Sequence, residues 1–313
     1  MSPDEPCWYG TMIRSLNDKN YVRPLLDAAM AFNEVRGRLK FYTLWNASHG
    51  KLLRRFAFSS EANERYDYVD EIVLGLDKDR ITWSGNPFTF NYNEIIKELQ
   101  KLDVDKKIVI IEENFHKSSV AIENDNYERN FLKAHCSNDW IFSIDADEVL
   151  INAKEFFYDW CPLVEDHYDK IDLAFTWFLP FKEFDDSILV IANNNNTWFS
   201  GDTQAFVTSK NKNFTYCRWT DGAKVIKSPL AVIHWSFCRP EKELEVKLNN
   251  FGHSDKTQGD PFFANWKICN LNNYHELINF KTSGYGQNQW EKLIRVPKQH
   301  FDAIANNETR IIY

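Results

Sequence analysis

The first half of the chain alternates short apolar runs with segments of helical spacing, and this alternation limits the fold more than any other feature. Runs at 9–16, 40–45, 68–76, 107–111 and 140–144 have the length and flanking polar turns of strands. Between them, 21–35 (Leu25, Leu26, Ala29, Phe32), 91–102 (Ile95, Ile96, Leu99) and 126–135 (Phe131, Leu132, His135) place many of their apolar residues three or four apart. The pattern predicts an α/β fold: a Rossmann-like, mainly parallel sheet flanked by helices, with ligands expected at the carboxyl ends of its strands. From about residue 171 the sequence changes to aromatic, β-prone stretches at 171–179, 204–209 and 225–235, which predict a mixed-sheet extension. Helical spacing returns at 241–251, and 289–305 reads as a further helix interrupted near Pro297.

At 313 residues the chain is long enough for one large domain, and we expect one continuous domain with halves at 1–150 and 151–313. Lys and Arg number 37 against 45 Asp and Glu, a net charge of −8, so no general attraction for nucleic-acid backbones is expected. The 24 Phe, 13 Tyr and 11 Trp supply a large core and exclude a disordered chain. Six cysteines without a CxxC pair argue against a zinc ribbon and for reduced, mostly buried thiols. No run approaches the roughly 20 apolar residues of a membrane span, and the first residues lack a basic-then-apolar signal; the expected location is cytoplasmic.

Chemistry concentrates in Trp140-Ile141-Phe142-Ser143-Ile144-Asp145-Ala146-Asp147-Glu148, where an apolar strand ends in three carboxylates within four residues. Asp145 and Asp147 share the period-two phase of a strand and point to one side. Their hard oxygens suit Mg²⁺ or Mn²⁺, which would bridge a diphosphate. The same residues also suit a solvated turn capping a following helix. Arg129, on the helix before this strand, presents a planar fork of donors to a nucleotide or to the carboxylates; its plainer role is a surface ion pair with Glu128 or Glu123. His234 closes the apolar run 232–234, with Arg239 and Lys247 close behind it. A neutral imidazole there can complete a cation's coordination, or simply pack as a core histidine.

Arg129-Asn130 together with the stretch 140–148 resembles the helix and metal-binding strand end of nucleotide-sugar-dependent glycosyltransferases of the GT-A fold, in the manner of family 2. His234-Trp235-Ser236-Phe237-Cys238, followed by Lys247, Phe251 and His253-Ser254-Asp255, is similar to the His-x-Ser-x-Cys and Lys…Phe-x-His region of glycosyltransferase family 17. That family is the β-1,4-mannosyl-glycoprotein N-acetylglucosaminyltransferase-like group. Val69-Asp70-Glu71-Ile72-Val73-Leu74 with Thr82-Trp83-Ser84-Gly85 echoes it more faintly, and 152–225 aligns with nothing in it. The resemblance implies a donor half at 1–150 and an acceptor-binding, C-terminal half at 151–313.

It further implies that Asp145 contacts the ribose or the metal, Asp147 ligates a Mn²⁺ or Mg²⁺ on the donor diphosphate, and His234 adds a ligand or a diphosphate contact. The expected donor-binding set is Asp145, Asp147, Arg129, Lys247 and Arg239. The reaction implied is transfer of a sugar from a UDP-sugar to an acceptor hydroxyl, inverting, with protein cations and metal stabilising the departing diphosphate. Asp202 or Asp221 is the candidate base, though Gly-Asp and Asp-Gly are also ordinary turn chemistry. Without a signal or anchor the acceptor need not be an N-glycan; a glycan, lipid-linked sugar or modified base stays open. The competing functions are a nucleotidyltransferase that makes sugar nucleotides, against which the glycine-poor Arg14-Ser15-Leu16-Asn17-Asp18 counts, and a non-catalytic carbohydrate-binding protein.

Overall fold

The computed structural model describes residues 39–44, 70–88, 92–103, 105–145, 147–152, 155–157, 171–193, 203–221, 224–254, 261–280 and 290–305. The strand expected at 9–16 and the helix expected at 21–35 lie outside them.

Strands β1 (Leu39–Leu44), β2 (Ile72–Asp77), β3 (Ile108–Glu113) and β4 (Trp140–Asp145) pair in parallel in the order β3-β2-β1-β4. Helices α1 (Tyr92–Leu102) and α2 (Ala121–His135) connect them, as the alternation predicts. Beyond β4 the same sheet continues through β9 (Thr203–Ser209), β6 (Ile171–Phe178), β12 (Lys224–His234) and β5 (Glu148–Leu150). β9 is antiparallel to β4 and β6, β12 is parallel to β6, and β5 is antiparallel to β12. The architecture is thus mixed α/β with more strand than helix. Its parallel pairing is unbroken over four strands and gives way to mixed pairing beyond them. Strands from both halves of the sequence share this one sheet.

A three-stranded antiparallel sheet joins β7 (Pro180–Glu183), β8 (Ser187–Ala192) and β13 (Lys292–Pro297). A small hairpin joins β10 (Phe214–Tyr216) and β11 (Trp219–Thr220). Three further helices are α3 (Glu241–Leu248), α4 (Phe262–Ile268) and α5 (Lys298–Ala305). The segment 289–305 departs from its helical expectation: residues 292–297 are a strand, and only the stretch after Pro297 is helix. Leu293, Val296, Phe301 and Ile304 are all buried at near-helical spacing, but pairing with β8 supplies hydrogen bonds that a helix carrying Pro297 would lose.

β4 shows how the sheet faces divide. Trp140, Phe142 and Ile144 enter the main core with Phe156, Phe175 and Phe206. Ile141 packs on the opposite face with Leu132 of α2 and with Cys136 just after it, so Ser143 and Asp145 also face that helix. The residues α2 buries include Asn124, Asp125, Glu128, Arg129 and Lys133. A buried helical stripe this polar marks a site rather than a core.

Candidate active site

The carboxyl ends of β4 and β12 build the site. Across the parallel strands the backbone row runs Gly75, Leu44, Asp145. After Asp145 the chain turns and pairs with β12, setting Glu148 directly opposite His234. The residues after Asp147 form strand β5, not a helix, which removes the helix-cap reading; Asp147 and Glu148 are buried.

Four protein cations converge on these carboxylates. Arg129 donates from Nε to Asp125 Oδ1 at 2.7 Å, from Nη1 to Ser143 Oγ at 3.0 Å and from Nη2 to Asp145 Oδ1 at 3.2 Å. Its side chain is buried, so the surface ion-pair reading does not hold. Arg218 Nη2 lies 2.8 Å from Asp145 Oδ1, and the same guanidinium forks onto Glu148. Asp147 Oδ2 accepts from Arg239 Nη2 at 2.7 Å and from Lys247 Nζ at 2.5 Å. His234 stands between the two acids, with Nε2 3.6 Å from Asp147 Oδ1 and Nδ1 3.8 Å from Glu148 Oε1. Its ring packs on Trp177, whose Nε1 donates to Glu148 Oε1 at 3.0 Å. The structure therefore brings together Arg129, Asp145, Asp147, His234, Arg239 and Lys247.

Protonation follows from burial and these partners. Burial raises the Asp145 carboxyl, but Arg129 and Arg218 outweigh it and hold it below the usual range. Burial pushes Glu148 up, to about 8, against the pull of Arg218. Burial pushes His234 down to about 3 despite Asp147, leaving the imidazole neutral. Lys247 and Arg239 are also lowered by burial, with Asp147 opposing.

Arg218 is the residue sequence reasoning missed. It is delivered by the β10–β11 hairpin, whose turn residue Cys217 has φ 52°, a left-handed conformation uncommon outside glycine. Helix α2 holds that hairpin from its own flank. Asn130 exchanges hydrogen bonds with the Phe214 backbone at 2.8 and 2.9 Å, and Asn126 Nδ2 donates to Thr215 O at 2.9 Å. One helix thus sets both Arg129 and Arg218. Lys247 is fixed from the other side, because Asn250 and Ser254 are tied to the loop after β2 through Thr82, Asn86 and Ser84. Gly75 allows α2 to approach: a Cβ there would lie 2.6 Å from Leu132 Cδ1 and 2.7 Å from Glu128 Oε1.

Of the two candidate bases, Asp221 falls among the described residues. Asp202 lies outside the described residues. Asp221 is exposed and closes the hairpin, accepting from Asn213 N at 2.9 Å while its own N–H donates to Asn213 O at 3.2 Å.

The described acids offer a divalent cation no open seat. Asp145 Oδ1 and Asp147 Oδ2 each already accept from two cations, and no three His, Cys, Asp or Glu converge to hold an ion among the described residues. A Mn²⁺ or Mg²⁺ ligated by Asp147 Oδ2 would displace Lys247 and Arg239. As arranged, the described residues do not fit a divalent ion.

They fit an anion better. Arg218 Nε and Arg239 Nη1 are buried and have no hydrogen-bond partner among the described residues. Buried guanidinium N–H groups are costly to leave unmet, and phosphate oxygens are the acceptors they suit.

Comparison by sequence finds no matching family model and no matching curated protein. Among solved structures the chain is similar to residues 1–349 of S. aureus TarS, at 11% identity and a TM-score of 0.32, covering 76% of this chain and 74% of that one. It is also similar to the inositol-1-phosphate CTP transferase from T. maritima, at 11% identity and a TM-score of 0.34, covering 68% of this chain and 98% of that one. Likeness at this level assigns neither family nor activity. No helix among the described residues is long and apolar enough to cross a membrane.

Proposed function

We propose that the chain is a glycosyltransferase that moves a sugar from a nucleoside-diphosphate-sugar, a UDP-sugar, to an acceptor hydroxyl with inversion. The observation that supports this reading most is the pair of buried, unpartnered guanidinium donors, Arg218 Nε and Arg239 Nη1, beside the acids at the carboxyl edge of a Rossmann-like sheet. As the bond to the sugar breaks, negative charge grows on the departing diphosphate. Fixed cations in a buried site stabilise that charge without reorganising. Arg218, Arg239, Lys247 and Arg129 fill this role.

Asp145, ionised and the most exposed of the three clustered acids, is placed to accept hydroxyl donors from the ribose. Neutral His234 and Trp177 wall the site from water on the β12 side. Inversion also needs a base for the acceptor proton. Asp221 is committed to the hairpin, and Asp202 is the proposed base: its neighbour Thr203 opens β9 opposite Thr176, near the carboxyl end of β6.

A thermal-shift panel of UDP-, GDP- and CDP-sugars, run with EDTA and with Mn²⁺, tests the assignment. One nucleotide-sugar should raise the melting temperature and be consumed when acceptors are supplied. A panel in which none shifts the transition and none is consumed contradicts it.

A further inference from the structure

A cavity of about 660 Å³ opens on the other side of Arg239, lined among others by Lys182, Phe184, Asp185, Glu243 and Trp266. Its volume is that of a small-ligand site, in the range of about 300–1,000 Å³. The connectivity puts it at the same edge of the sheet as the acids. β4, β6 and β12 run in the same direction, and the cavity wall comes from 182–185, soon after β6, and 238–243, soon after β12. Arg239 belongs to both places: Nη2 is 2.7 Å from Asp147 Oδ2, the residue itself lines the cavity, and Nη1 is unpartnered.

The charged groups of the wall are unequally committed. Lys182 Nζ donates to the carbonyls of Trp266, Lys267 and Cys269 at 2.7 to 3.2 Å, closing the end of α4, and sits over the Trp266 ring. Lys298, also in the wall, donates to Glu183 Oε1 at 2.6 Å. Exposed Asp185 has no hydrogen-bond or ion-pair partner among the described residues. What the cavity offers a ligand is therefore carboxylate acceptors, one guanidinium donor and an apolar wall from Phe184 and Trp266. Carboxylates accept from hydroxyls and repel phosphates, so this chemistry suits an uncharged, hydroxyl-rich molecule.

Resting on the transferase reading above, we infer that this cavity is the acceptor site and that the acceptor is a neutral saccharide, bound one arginine side chain away from the donor diphosphate. A nucleic acid or a phosphorylated acceptor does not match the wall.

The test is saturation-transfer NMR on UDP-loaded protein with methyl glycosides of glucose, galactose, mannose and N-acetylglucosamine, and with glucose 1-phosphate. UDP affinity is measured separately by calorimetry. Two variants at an exposed position keep the result interpretable if one folds poorly: Asp185→Trp to fill the cavity and Asp185→Asn to remove its charge. At least one methyl glycoside should bind more tightly than glucose 1-phosphate. Its affinity should fall tenfold or more in Asp185→Trp and about threefold in Asp185→Asn, which keeps one acceptor oxygen and loses the charge, on the ordinary scale of the net contribution of one hydrogen bond, while UDP affinity holds. UDP binding with no glycoside binding, or glycoside binding equal in both variants, overturns the acceptor assignment alone. Absence of UDP binding overturns the transferase reading, and the acceptor assignment falls with it.

Discussion

The Arg218 guanidinium grips the Glu148 carboxylate with both arms, Nη1 to Oε1 at 2.9 Å and Nη2 to Oε2 at 2.5 Å, across 70 residues of sequence. Glu148 in turn accepts from the Asp145 backbone N–H at 2.7 Å and so sets the geometry of the acid turn. Arg218→Met leaves the buried Glu148 carboxyl without its two donors and the ionised Asp145 with one cation fewer, and should cost about 3–5 kcal/mol in denaturant unfolding. Arg218→Lys should recover little of it, because an ammonium cannot reproduce the two-armed contact. Full recovery by lysine would show that only charge matters here.

Asp147 is a structural counter-ion as well as a site residue, since it holds both Arg239 and Lys247. Asp147→Asn should therefore destabilise the fold by a few kcal/mol. Lys247→Met made in the same chain should cost less than the sum of the two single changes, because the partners are lost together. Strict additivity in that double-mutant cycle would contradict the coupling.

How much of this the sequence discloses depends on locality. Asp145 and Arg129 were legible because a strand end and its preceding helix are contiguous; Asp147 was legible as a neighbouring acid, but the turn after Asp145 rather than period two sets its direction. His234 was legible as the end of an apolar run, with Arg239 and Lys247 as the basic residues close behind it. Arg218 was not, because a hairpin of two- and three-residue strands carries no periodic pattern and its partner Glu148 is distant in sequence. The buried polar stripe of α2 was a signal in plain view: Asn124, Asp125, Glu128, Arg129 and Lys133 recur at helical spacing, and all are buried. The strand at 292–297 was hidden because Leu293 and Val296 are three apart, a separation that suits a helix until the pairing with β8 is known.

Glu128 supplies a pH signature. Burial pushes its carboxyl up to about 8; Trp83 Nε1 donates to Oε2 at 2.6 Å, while Oε1 has no hydrogen-bond partner among the described residues. The folded state then holds a proton that the unfolded chain releases above about 4.5, so this contribution to stability is complete at low pH and lost as pH rises toward 8. His234, depressed to about 3, acts in the opposite sense only below its unfolded value near 6.5. Between pH 7 and 8 the wild-type protein should lose stability, by at most about 1.4 kcal/mol per pH unit for one such group. Glu148, also pushed up to about 8, contributes in the same sense, so Glu128→Gln should roughly halve that slope in urea unfolding at several pH values; an unchanged slope would assign it to other groups.

The cations on Asp145 and Asp147 also make a prediction about metal. UDP affinity in EDTA and in millimolar Mn²⁺ should agree within about threefold, because a difference beyond roughly 0.7 kcal/mol would give the ion a substantial share of the binding. A hundredfold gain with Mn²⁺ would show that ligand and ion together displace Lys247 and Arg239.

The most direct measurement is a calorimetric titration of UDP into the wild-type protein and into Arg239→Gln, with the fold of each verified by thermal unfolding. Saturable binding to the wild type, weakened tenfold or more in the variant, about 1.4 kcal/mol, is the predicted result. No binding to either protein, or equal affinity in both, would contradict a diphosphate site built on these buried guanidinium groups.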